Sequence, residues 1–164
     1  MNIPINVPLV ENIFLDQLMP DKLFIDLAQK QFSGYTYLAV SGKYGFEESI
    51  IIFTKGKVVG SIFLIDAYNL EMFGQVAFEF GINAFGNSEG LLNIYNLTDD
   101  QIKLILIFND KIKFSYKFDK ATVSKITFKY NTTALDVLLK DKMEVKESKS
   151  DVFNKFNLSD LLLE

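Results

Sequence analysis

The sequence predicts an α+β fold: a mixed, mainly antiparallel sheet with three to four helices, built as a single domain with a C-terminal tail. Three observations carry that expectation. Residues 34–65 are rich in β-branched and aromatic side chains and are broken only by short glycine-containing turns, the pattern of successive hairpins. Several other segments space their apolar residues as helices do. Finally, 164 residues, 49% of them apolar and with 16 Phe and 7 Tyr, are enough for one core without covalent staples.

In chain order, the first element is a helix over residues 19–32, MPDKLFIDLAQKQF. Pro20 takes a first-turn position, where its missing N–H costs nothing, and Leu23, Leu27 and Ala28 lie along one face. Ser33 and Gly34 end it. GYTYLAVSGKYG then reads as a strand entering the loop Gly42–Gly45. EESIIIFT and KVVGSIFLI form a hairpin joined by Lys55-Gly56, because glycine tolerates positive φ. Their apolarity is continuous rather than alternating, which implies strands covered on both faces. Burying Phe63 or Ile52 would stabilise by ~1.5–3 kcal/mol each. Gly60 interrupts the second strand and marks a bulge or the close approach of a packing element.

NLEMFGQVAFEFGINAF, residues 69–85, places Phe73, Ala77, Phe80 and Ala84 on one helical face. A turn through GNSEG leads to the strand LLNIYNL. In LTDDQI, Thr98 and Gln101 have capping-box spacing, Leu97 and Ile102 can form the hydrophobic staple, and Asp99 and Asp100 suit the positive helix end. A helix therefore starts at Asp99 and runs to about Phe108. KIKFSYKF and TVSKITFKY alternate with period two around Asp119-Lys120-Ala121 and predict a half-buried hairpin. TALDVLLK predicts a short helix. The domain so defined spans residues 1–142, and 143–164 form a charged linker and an apolar tail.

Composition narrows the function. Cysteine, histidine, arginine and tryptophan are absent, and all 17 positive charges are lysines. An enzyme would have to work without imidazole, thiolate or guanidinium. The expectation is a non-enzyme with no catalytic, cofactor-binding or metal-binding residues and no cofactor. The first ten residues lack a basic start and carry Pro4 and Pro8, and no apolar run reaches the roughly 20 residues of a membrane helix. A cytoplasmic protein without membrane insertion follows.

Two segments are candidate contact sites. Lys111, Lys113, Lys117, Lys125 and Lys129 occupy the odd positions of the predicted hairpin, opposite its aromatic residues, and residues 111–130 carry six lysines against Asp119 alone. That basic face could receive nucleic acid, an acidic partner or anionic lipid; as a solvated face its lysines would simply discourage strand pairing. In the tail, Phe153, Phe156, Leu158, Leu161 and Leu162 follow a polar tether and have the length of a peptide that docks in a groove. The acidic pairs Glu47-Glu48 and Asp99-Asp100 have simpler readings. Neighbours on a strand point to opposite faces, and helix capping accounts for the aspartates. Gly42-Lys43-Tyr44-Gly45 and Thr54-Lys55-Gly56-Lys57 read as turns, since both lack the spacing of a phosphate loop.

FSGYTYLAV, IIFTKGKVVGSIF, FGQVAFEF and GLLNIYNLTDDQIKLILIFN, within residues 20–108, resemble an uncharacterised archaeal domain family distantly similar to the bacterial PATAN domain. In that pattern a leading helix precedes a Gly-start strand, then a hairpin with a Lys-Gly-Lys type turn and a small residue, here Gly60 with Ser61, then a helix and a strand. The resemblance implies protein contacts in signalling assemblies and carries over no catalytic residues. The expected function is therefore a non-catalytic protein-binding adaptor in a signalling or envelope-associated assembly, its partner being another protein or a second copy. The runner-up is nucleic-acid binding through the lysine-rich hairpin. A third reading is a small-molecule sensor with its pocket between the helix of Phe73–Phe85 and the sheet.

Overall fold

The computed structural model describes residues 3–4 and 7–140, so the linker and tail lie outside the described residues. The chain divides into two units, Met1–Tyr130 and Asn131–Glu164. The first is built on one antiparallel sheet of β1 (Val10–Phe14), β2 (Gly34–Gly42), β3 (Gly45–Thr54), β4 (Lys57–Ile65), β5 (Leu70–Phe73), β6 (Gly90–Asn96) and β7 (Lys113–Lys117). Strand order is β1-β6-β2-β3-β4-β5, and β7 shares the outer edge of β4 with β5. Its helices are α1 (Pro20–Gln29), α2 (Gly74–Ala84), α3 (Asp99–Phe108) and the single turn α4 (Lys120–Val123). In the second unit α5 spans 133–140, and its start is fixed by a Thr133 N–H that donates to Asn131 Oδ1 at 2.8 Å. No helix among the described residues is long and apolar enough to cross a membrane.

The β3–β4 turn forms as expected. Lys55 and Gly56 take φ of 48° and 76° between the paired residues Thr54 and Lys57, the left-handed geometry of a two-residue hairpin. Gly56 also lies against α1, where an added Cβ would come 2.5 Å from the Ala28 carbonyl oxygen. Both readings of Gly60 hold. The β3–β4 register shifts between Ile52 and Phe53, leaving Val59 as the extra residue, and Ile112 closes to 3.2 Å of the position a Gly60 Cβ would occupy.

Cross-strand register sorts the side chains into two faces. One carries Ser49, Ile51, Phe53 and Phe63 and is covered by α2, whose Gly81 lies directly over the Ser49 hydroxyl. α1 reaches the same side with Phe24, whose ring centroid is 4.4 Å from Phe118, 4.9 Å from Phe85 and 5.9 Å from Phe128. The opposite face carries Tyr35, Tyr37, Ile50, Ile52, Ile62 and Leu64. Of these, Tyr35, Ile52 and Ile62 pack with Leu97, Ile102, Ile105 and Ile112, which brings α3 onto that side.

Four expectations need correction. The helix read over 19–32 stops at Gln29 and is centred on buried Phe24 and Leu27, since Gln31 at φ 49° breaks it. The helix read over 69–85 begins only at Gly74; Leu70–Phe73 pair with β4, and Gly74 at φ 65° turns the chain between strand and helix. β1 was not foreseen at all, because VENIF shows no alternation, and Asn12 within it sits at φ 57°. The lysine hairpin lacks its second strand. Asp119 and Thr122 form a capping box that winds 120–123 into α4, and residues 124–130 have no strand pairing.

Candidate functional site

α3 is the element whose sequence and position disagree most. Its start is fixed locally: the Thr98 N–H donates to Gln101 Oε1 at 2.9 Å, and the Gln101 N–H donates to Thr98 Oγ1 at 3.2 Å. Asn109 Nδ2 closes the other end by donating to the Ile105 carbonyl at 2.8 Å. Ile102 and Ile105 are buried on the sheet. Yet Leu104, Ile107 and Phe108 face outward, 53%, 67% and 79% exposed. At 100° per residue these three lie within one third of the helix circumference, so they form a patch. A groove of about 420 Å³ runs beside it, lined by Pro4, Gln101, Leu104, Ile105, Phe108 and Asn109. Large apolar side chains clustered on an outer helix face normally meet a partner surface.

The capping signal made this helix look purely structural in the sequence. The missed signal was LILIF, residues 104–108, five apolar residues in a row, some of which a helix must turn outward.

The five lysines of the predicted basic face are exposed, and they lie on separate elements rather than on one two-stranded ladder. Lys111 is in a 3-10 turn, Lys113 and Lys117 are on β7, and Lys125 and Lys129 follow α4 outside any strand. Lys113 is engaged by Asp110 at 2.6 Å. That pair and a hydrogen bond between them hold the exposed Asp110 carboxyl below the usual range. Lys117 instead joins Lys55, Lys57 and Lys120 around a cleft of about 510 Å³. Lys57 and Lys117 are directly opposite each other across the β4–β7 ladder, a like-charge pair that disfavours the sheet unless an anion or solvent relieves it. Asp119 also lines this cleft, its carboxylate accepting the Thr122 N–H at 2.8 Å. The tail residues Phe153, Phe156, Leu158, Leu161 and Leu162 lie outside the described residues.

Glu47 and Glu48 do point to opposite faces. Glu47 is fully buried on the α2 face and accepts a short hydrogen bond from the Tyr130 hydroxyl. Its second oxygen, with the hydroxyls of Ser49 and Thr36, has no partner among the described residues. Burial pushes the Glu47 carboxyl up, against the opposing effect of the Tyr130 bond. Asp99 and Asp100 occupy the first turn of α3, as capping requires; Asp100 also meets Lys103 at 3.1 Å.

A second concavity opens on the α3 face, where α3 stops short. Tyr35, Tyr37, Ile50, Leu64 and Phe73 are among its lining residues, and its volume is about 430 Å³. This concavity is on the side of the sheet away from α2, so it is not the pocket expected between α2 and the sheet.

Comparison with known proteins adds one result. A family model described as an uncharacterized protein conserved in archaea (DUF2226) matches residues 1–109. The chain belongs to this family. The matched segment spans β1 to α3, the part containing both the α3 patch and the aromatic concavity, and ends before β7. No curated protein and no solved structure matches the chain.

Proposed function

We propose that this archaeal-family chain is a non-catalytic protein-binding adaptor, and that it receives its partner on the outer side of α3. The observation that carries the reading is the contiguous exposure of Leu104, Ile107 and Phe108 on a helix already anchored by Ile102 and Ile105. Large apolar side chains clustered on a helix surface are the usual core of a helix-in-groove contact. The PATAN-like pattern of residues 20–108 supports the finer assignment to a signalling or envelope-associated assembly.

Affinity capture from nuclease-treated extract tests the proposal. The full chain should retain a protein that the double variant Leu104→Lys/Phe108→Lys releases while remaining folded by circular dichroism. Retention unaffected by the double variant, but lost when the chain ends at Lys142, would move the contact to the tail. A chain that retains no protein counts against the adaptor reading.

The lysine cleft supports a second reading, nucleic-acid binding, because Lys55, Lys57, Lys117 and Lys120 converge there. Affinity for a single-stranded oligonucleotide should then fall steeply with salt and lose about 0.7 of a unit of log–log slope per lysine removed. A flat salt response would eliminate this reading.

A further inference from the structure

The concavity on the α3 face has a chemistry that neither contact surface uses. Its floor is a cross-strand grid. Tyr37 of β2 stands opposite Ile50 of β3, Ile50 opposite Ile62 of β4, and Ile62 opposite Phe73 of β5. One row further along, Glu48 stands opposite Leu64, and Leu64 opposite Glu71. At the other end Tyr35 and Tyr95 stack with centroids 4.6 Å apart. The Tyr35 hydroxyl is already spent, donating to the Pro4 carbonyl at 3.2 Å.

The polar groups at this site share one sign. Glu71 lines the cavity, and Glu48 holds the Tyr37 hydroxyl by a hydrogen bond. Burial, then the Glu48 charge and that bond, push the Tyr37 hydroxyl up to about 12; burial and Tyr95 do the same for Tyr35. Both phenols stay neutral and keep their electron-rich ring faces. Among the described residues no lysine lines the cavity. A volume of about 430 Å³ is within the ~300–1,000 Å³ of ordinary small-molecule sites. The enclosure is apolar, aromatic and negative.

We propose that this concavity is a binding site for a small organic ammonium ion with an apolar body. The ammonium would sit at Glu71 beside the Phe73 ring, and the apolar body would extend over Leu64, Ile62 and Ile50 toward Tyr37. Ring faces attract such cations more strongly as water is excluded, and the carboxylates reject anions of the same shape.

Chemical-shift mapping on the full chain tests this with three probes of one shape: phenethylamine, 2-phenylethanol and 3-phenylpropionate. The amine should shift the amides of Tyr37, Ile50, Leu64 and Phe73 saturably, bind at least about tenfold more tightly than the alcohol, and leave the carboxylate without effect. Glu71 is exposed, so Glu71→Gln should fold normally and weaken the amine about tenfold. Glu71→Lys should reverse the preference toward 3-phenylpropionate. Equal binding of amine and alcohol, shifts confined to other residues, or no shift with the amine would each overturn the proposal. Nα-acetyl-lysine methylamide serves as a fourth probe. If it bound as tightly as phenethylamine, the ammonium would belong to a partner's lysine, and the small-molecule assignment would fail.

Discussion

The two faces of the sheet are made from the same strands and are similarly apolar, yet one is closed and the other half open. On the α2 face the core is closely packed, with Phe24 ringed by Phe53, Phe85, Phe118 and Phe128. On the opposite face α3 covers Tyr35, Ile52 and Ile62 and stops, so that Tyr37, Ile50 and Leu64 stay half-exposed. Apolarity decides that a strand face will be covered. The length and placement of the covering helix decide how much of it is covered.

Matched truncations should expose that difference most strongly. Phe24→Ala removes the centre of the closed face and should cost about 3–5 kcal/mol in urea denaturation. Tyr37→Ala on the open face should cost less, about 1–2 kcal/mol, because its side chain is only partly buried. Equal losses would mean that the open face is as tightly packed as the closed one.

The closed face also holds the one fully buried carboxyl among the described residues, Glu47, and there the comparison becomes pH-dependent. Tyr130→Phe removes the donor to Glu47 and should cost about 1–3 kcal/mol. Because burial holds the Glu47 carboxyl above its unfolded value, the folded chain binds this proton more tightly than the unfolded chain does. Its stabilisation is full below the ordinary glutamate range, about pH 4, and is lost as pH rises through the raised value. Denaturation midpoints of the wild type should therefore decline over that interval, and those of Glu47→Gln should decline less. Parallel profiles would remove Glu47 as the cause.

Smaller effects belong to the open face. Thr98→Ala breaks the capping box of α3 and should cost about 1 kcal/mol, read as a lower melting temperature. Leu104→Lys should change stability by no more than about 0.5 kcal/mol while abolishing partner capture. A large stability loss would show that the α3 patch is already covered within the chain.

What the sequence made legible was whatever is determined locally. The β2–β3–β4 meander follows from β-branched runs and two short turns, and both ends of α3 follow from groups within four residues of each other. The failure at 122–130 is more instructive. Ile126, Phe128 and Tyr130 are half-buried and Lys125, Thr127 and Lys129 exposed, so the alternation correctly reported which side faces inward. An extended chain alternates whether or not it is hydrogen-bonded into a ladder. Phe128 stacks toward Phe24 and Tyr130 reaches Glu47, contacts across about 100 and 83 residues of chain that no local pattern encodes. The candidate site was less legible for a related reason. Whether Leu104 and Phe108 are covered depends on what α3 meets, and the lysines of the cleft come from three separate elements.

The sheet's borders have a consequence for how copies of this chain can meet. β1 is kinked by Asn12 at φ 57°, and the Asn12 N–H is diverted to the side chain of Asn93 at 2.7 Å. The other border is divided between two short strands, and on one of them Lys113 and Lys117 stand in solvent. Neither side presents a straight row of free amides and carbonyls onto which a further strand could zip. Growth by continuous sheet extension, the route to fibrils, is thereby disfavoured at both borders of the described sheet.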